Sequence, residues 1–256
     1  MTSFLFRIVV ILGLISAPAG AAELQVVSSG GFAAAYRALA PGYEKESGDT
    51  LVIGWGPSMG DTHDAVPARL ARGEDIDVVI MVGYALGKLI DQGKVAADSR
   101  VDLARSGIGV VVRAGAPHPD VHTVESLKEA LLTAKSIAYS DSASGVYIST
   151  EMFKKMGIAD QVAAKAHMIP AEPVGQVVAR GDAEIGFQQI SELRPIKGID
   201  LLGPLPDGLQ QYTVFSGGVV AGSKHPREAA ALIRYLASPA ARVAVVDSGM
   251  EPLGKE

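Results

Sequence analysis

The chain has 256 residues, a formal net charge of −5 and no cysteine. Without cysteine there is no disulfide framework and no thiolate metal or redox site. The acidic balance, an aromatic content of 5% and the lack of any basic run argue against nucleic acid as a partner.

Residues 1–22 read as a secretion signal, which implies a periplasmic mature chain. Arg7 supplies the positive region, Ile8–Ile15 the apolar run, and the small residues up to Ala22 the cleavage site. The apolar run is too short for a membrane span. Leu24, Val26 and Val27 then make a strand, Ser28-Ser29-Gly30-Gly31 stop it, and Phe32–Tyr36 begin a helix. Small residues at such a junction let the backbone approach a ligand, and the unpaired N–H groups of a helix start attract an anion. An ordinary serine cap is the alternative. Phe32, Tyr36, Leu39 and Tyr43 keep helical spacing, with a kink or early end expected at Pro41.

A strand over Thr50–Trp55 leads to the loop Gly56–Asp64 and a helix carrying Val66 and Leu70. Ile76–Gly83 is almost wholly apolar, as expected of a parallel strand covered on both faces. Ala85–Val95 reads as a helix stopped at Gly93, and Ala104–Arg113 as a long extended run ending in turn-rich Ala114–Asp120. The alternation restarts with a helix capped by Thr123 (Val124–Ala134), a strand Ser136–Asp141, a loop Ser142–Gly145 and a helix Val146–Met156. Strands follow at Lys165–Ile169 and Glu184–Phe187 around the helix Val174–Arg180, then a loop Gly203–Gln210 and an extended run Tyr212–Gly222. Pro226–Ala237 and Pro239–Ser248 read as the last helices.

Two α/β halves joined by two extended runs predict a discontinuous first lobe, residues 23–103 plus 214–256, and a second lobe, residues 106–212. Each lobe is expected to hold a mainly parallel sheet, with hinges at Arg105–Ile108 and Thr213–Phe215 and a ligand cleft between the lobes.

The chemistry-bearing residues cluster at loops. Ser140–Gly145 forms a second strand-to-helix junction in the other lobe, so Ser142, Ala143, Ser144, Gly145 and Val146 can face Ser29, Gly30, Gly31 and Phe32 across a ligand. Gly56-Pro57-Ser58-Met59-Gly60 matches the nucleophile-elbow pattern of serine hydrolases, but no later acid and histidine are marked as its partners. His63, between Asp61 and Asp64, is a possible proton shuttle or a surface residue beside the next helix. His118 and His122 are separated by prolines, His167 reads as a core residue of its strand and His225 as a turn residue, so no metal site is expected. Gln188 and Gln189, after an apolar strand, can bind a carboxylate or satisfy a loop.

The order of elements, together with "YEKESG" (Tyr43–Gly48), "GEDIDVVIMVG" (Gly73–Gly83), "LIDQGKV" (Leu89–Val95), "ARGDAEIGF" (Ala179–Phe187) and the segment Ala229–Leu253, resembles the periplasmic molybdate-binding-protein family. That resemblance covers nearly the whole mature chain. It implies an α/β, two-lobed type II periplasmic-binding-protein fold and a membrane permease as partner. It also implies an oxyanion held by hydroxyls and backbone N–H groups, with no cofactor and a monomeric receptor. This chain departs at the ligand loops: Gly31 stands where the family places a serine, "GDTHD" beside Ser58 and Met59 looks inserted, and Gln189 replaces a tyrosine. A larger anion such as an organic carboxylate suits those changes better than molybdate. The expected function is therefore a solute-binding protein clamping a small anion between its lobes. The alternative is an isomerase of an unsaturated tricarboxylate, since periplasmic aconitate isomerase is similar to the same family; His63 is then the first candidate base.

Overall fold

The computed structural model describes residues 21–170 and 172–254; residues 1–20 of the expected secretion signal lie outside the described residues. β1 (Glu23–Ser28) leads through α1 (Gly30–Ser47), β2 (Thr50–Trp55) and α2 (Val66–Ala71) to β3 (Val78–Val82) and α3 (Gly83–Asp91). Two strands then follow with only Gly107 between them, β4 (Val101–Ser106) and β5 (Ile108–Arg113). The next stretch contains α4 (Val124–Thr133), β6 (Ile137–Ser140), α5 (Ala143–Tyr147), α6 (Phe153–Lys155), α7 (Ala159–Val162) and β7 (Ala166–Ile169). It continues through α8 (Val174–Arg180), β8 (Ile185–Gln189), α9 (Ile190–Leu193) and β9 (Ile199–Pro204). β10 (Thr213–Val219), α10 (Pro226–Leu236), α11 (Arg242–Asp247) and β11 (Glu251–Pro252) complete the chain.

The strands form two sheets, ordered β11-β4-β10-β3-β1-β2 and β7-β6-β8-β5-β9. The expected mainly parallel sheets are mixed instead. β1 pairs in parallel with β2 and β3, and β6 with β7 and β8, whereas β4, β5, β9, β10 and β11 join their neighbours antiparallel. The reason lies in how each strand arrives. A strand reached through a helical crossover returns in the same direction. β5 and β10 enter straight from the other sheet and carry no such constraint, so they insert antiparallel.

Each sheet has its own apolar core. All five residues of β3 are buried, as its unbroken apolar run requires of a strand covered on both faces. Leu24, Val26, Phe32, Tyr36 and Leu86 pack around it in the first half, while Ile108, Val110, Leu127, Leu131, Ile137 and Phe187 pack in the second. The Gln210 amide ties the two crossings together. Its Oε1 accepts from Ile108 N–H at 2.8 Å and its Nε2 donates to Ile108 O at 3.0 Å.

Several local expectations shift. α1 starts at Gly30 and runs through Pro41 to Ser47, closed by Gly48 at φ 81. Its last turn is held by Tyr43, whose hydroxyl donates to Asp49 Oδ2 at 3.0 Å. The helix expected from Val146 begins at Ala143, and a π turn over Ile148–Met152 joins α5 to α6. β9 was unmarked in the sequence because Gly203 and Pro204, which read as loop residues, end it. His167 is exposed on the edge strand β7 and does not enter a core. Thr123 caps α4 as expected, in a reciprocal box with Ser126.

Candidate ligand-binding and catalytic cleft

The cleft is built where β1 stops. Ser29 has extended geometry and caps α1 through its backbone alone; its hydroxyl makes no cap bond and is buried without a partner. A buried hydroxyl left unpaired costs free energy unless a ligand supplies its partner. Gly30 and Gly31 form the first turn of α1, and neither could carry a side chain as things stand. A Cβ on Gly30 would overlap Oε1 of Glu192, and one on Gly31 would overlap the ring of Phe215. The ring of Phe215 thus fills the space beside Gly31.

The second wall comes from the loop after β2. Ser58 is buried, and its Oγ accepts the backbone N–H of Val82 at 3.0 Å, which leaves the hydroxyl proton to donate. Met59 turns away from the cavity and its Sδ accepts from the Tyr84 hydroxyl at 3.0 Å. The loop stays irregular up to α2, so the strand–turn–helix of a nucleophile elbow is not formed around Ser58. His63 stands at the rim with its side chain 81% exposed, its Nδ1 3.0 Å from Asp64 Oδ1.

The opposite wall belongs to the second sheet. The Ser140 hydroxyl lies 2.8 Å from that of Ser142 and 3.0 Å from that of Ser144, a linked set that holds the start of α5. Ser142 and Ala143 reach the cavity; Phe32, Ser144, Gly145 and Val146 are not on its wall. Gln188 and Gln189 are buried at the end of β8 and both face the cavity. Gln188 Oε1 accepts from Val174 N–H at 2.8 Å, and Gln189 Nε2 donates to Thr213 Oγ1 at 2.8 Å while Gln189 Oε1 is left without a partner. A half-turn of that amide would let Thr213 donate to Oε1 and aim Nε2 at a bound anion.

Sequence reasoning missed Glu192. It projects from α9, the short helix that follows β8, and α9 packs against α1. The residue is half-buried and lines the cavity, with its carboxyl beside Gly30. Burial pushes that carboxyl up to about 7, opposed by a hydrogen bond with Gln188 and reinforced by the negative charge of Asp141. The only signal in the sequence was polar Gln188, Gln189, Ser191 and Glu192 following an apolar strand.

The cavity measures about 350 Å³, enough for a small organic acid. Among the described residues its wall carries no lysine or arginine, so an anion there would be held by hydroxyls, amides and the N–H groups that open α1. A wider groove of about 910 Å³ lies between the end of α1 and α10, lined by Tyr43, Glu46, Arg234 and Tyr235 among others. None of the unpartnered buried polar side-chain atoms among the described residues reaches it. Among the same residues no group of three histidine or acidic side chains is placed to hold a metal ion.

Two α/β sheets with separate cores, joined by paired crossings around a polar cleft, define the two-lobed solute-binding class of protein. The family model for bacterial extracellular solute-binding proteins matches residues 24–251, and the chain belongs to that family. It is 54% identical over 230 residues to an aconitate isomerase of a Pseudomonas species, covering 90% of this chain and 88% of that protein. It is 28% identical to the molybdate-binding protein ModA of Azotobacter vinelandii, covering 94% of this chain and 95% of that one. The solved structure of the periplasmic molybdate-binding protein of Azotobacter vinelandii superposes with a TM-score of 0.71 at 20% identity, over 89% of this chain and 98% of the other. That likeness establishes the shared fold.

Proposed function

We propose that the chain is a periplasmic isomerase acting on an unsaturated tricarboxylate of the aconitate type. The observation that carries this reading is the Glu192 carboxyl against the first turn of α1. A receptor for an anion gains nothing from a carboxyl beside that helix end, which when ionised weakens the hold on the ligand. An enzyme that must remove a proton from carbon has a use for such a group. The Pseudomonas relative at 54% identity supports the same reading.

In this account the hydroxyls of Ser29, Ser58 and Ser142 and the Gln189 amide hold the substrate carboxylates as the two lobes close. Residues 23–103 with 214–256 move against residues 106–212, and the Gln210 bridge marks the hinge. The rearrangement shifts a double bond without net oxidation, so it needs no redox cofactor.

The test is to incubate the purified mature protein with trans-aconitate and follow the cis isomer by proton NMR, with thermal unfolding measured alongside. Conversion, together with stabilisation by the saturated analogue tricarballylate, is expected. Stabilisation by molybdate or sulfate without conversion would return the protein to the transport receptors, with a membrane permease as its partner.

A further inference from the structure

We propose that Glu192 is the catalytic base of this cleft, taking a proton from the substrate methylene and returning it at the other end of the allylic unit. The assignment rests on the isomerase reading above and names the group that performs it. Three features of the geometry converge. Glu192 and Gly30 meet across the lobes, and both line the cavity. Gln188, anchored through its own Oε1 to Val174 N–H, hydrogen-bonds the carboxyl and limits its rotation. Gly30, having no Cβ, leaves room for the carboxyl oxygen against the first turn of α1.

The step balances without a co-reactant. A carbon–hydrogen bond of the methylene breaks and an oxygen–hydrogen bond forms on Glu192. The electron pair delocalises over three carbons and into the attached carboxylates, which the hydroxyls and α1 N–H groups stabilise. The new oxygen–hydrogen bond then breaks as a carbon–hydrogen bond forms at the far terminus. The double bond has moved and the carboxylate is restored.

The charged surroundings suit a base working near neutrality. Asp141 faces Glu192 from the β6–α5 junction, Glu172 lines the cavity from the segment before α8, and His63 and Asp64 stand at the rim. The turn of α1 against the carboxyl is Gly30-Gly31-Phe32 and brings no ionisable side chain. Burial, with the charge of Asp141 added and the hydrogen bond from Gln188 opposing, raises the carboxyl to about 7, where it is part ionised and part protonated at neutral pH.

The experiment compares wild type, Glu192→Gln and Glu192→Asp with trans-aconitate across pH 5 to 9, with tricarballylate binding measured for each. Wild type should show kcat/KM rising with pH through an inflection near 7. Glu192→Gln should bind tricarballylate yet turn over about 10²–10⁴-fold more slowly and lose that inflection. Glu192→Asp should keep a fraction of the rate with a displaced inflection, a result that a merely structural glutamate would not produce. If wild type converts and Glu192→Gln retains more than about a tenth of its rate, the assignment is overturned while the isomerase reading stands. If wild type binds the analogue but converts nothing, the isomerase reading fails and this assignment fails with it.

Discussion

Replacing Gly30 by alanine separates stability from turnover. The backbone at Gly30 is helical, and alanine is favoured over glycine inside a helix by up to about 1 kcal/mol, less at the first position. Against that gain, the new methyl would overlap Glu192 Oε1, the free end of a flexible side chain. Swinging that end aside costs about 0.5–1.5 kcal/mol if it leaves its preferred rotamer. The two effects nearly cancel, so the melting temperature should move by less than about 4 °C in a chain of this size. Turnover should not be spared. Relieving the overlap moves the carboxyl by about an ångström, and misplacement on that scale costs about 10²-fold in rate. Circular dichroism melts and the NMR conversion assay read the two quantities on the same sample. A Gly30→Ala protein that melts normally and converts aconitate at the wild-type rate would refute the view that this contact places the base.

Three further outcomes follow from named contacts. His63→Ala, which removes a rim side chain paired only with exposed Asp64, should change turnover by less than about threefold in the same assay. Ser58→Ala strands the buried Val82 N–H and should lower stability by about 1–3 kcal/mol, seen in denaturant melts, while weakening tricarballylate binding by calorimetry. The raised Glu192 carboxyl binds its proton more tightly folded than unfolded. Its stabilising contribution is therefore complete below about pH 4.5 and is lost as pH rises through about 7. That loss is on the order of 2 kcal/mol, allowing for partial contact with solvent. Glu192→Gln should lack this slope and be the more stable protein at pH 8; equal pH dependence in the two proteins would contradict it.

Periodicity and turn chemistry carried much of the fold in readable form. The apolar run at Val78–Val82, the Thr123 cap and the strand-to-helix junctions at Ser29 and Ser140 all follow from local rules. What local rules could not supply was direction. β5 and β10 are antiparallel to neighbours far away in sequence, and no pattern within either run encodes that pairing.

The cleft was legible to the same degree. Ser29, Gly30, Gly31, Ser142, Ala143, Gln188 and Gln189 line one cavity because each ends a strand or opens a helix, and Ser58 joins them from the loop that follows β2. Glu192 was not legible. It lies on a four-residue helix without a periodic signature, and its significance comes from Gly30, a residue of the other lobe. His63 attracted attention by residue type, whereas exposure at the rim is a property only the fold assigns.

The most direct test is a crystal structure of the protein bound to tricarballylate, which fills the cleft and cannot isomerise. The account predicts a closed form with the Glu192 carboxyl about 3–3.5 Å from a methylene carbon and the ligand carboxylates on Ser29, Ser58 and the opening turn of α1. A ligand carboxylate seated on that turn with Glu192 swung out of the cleft would contradict it.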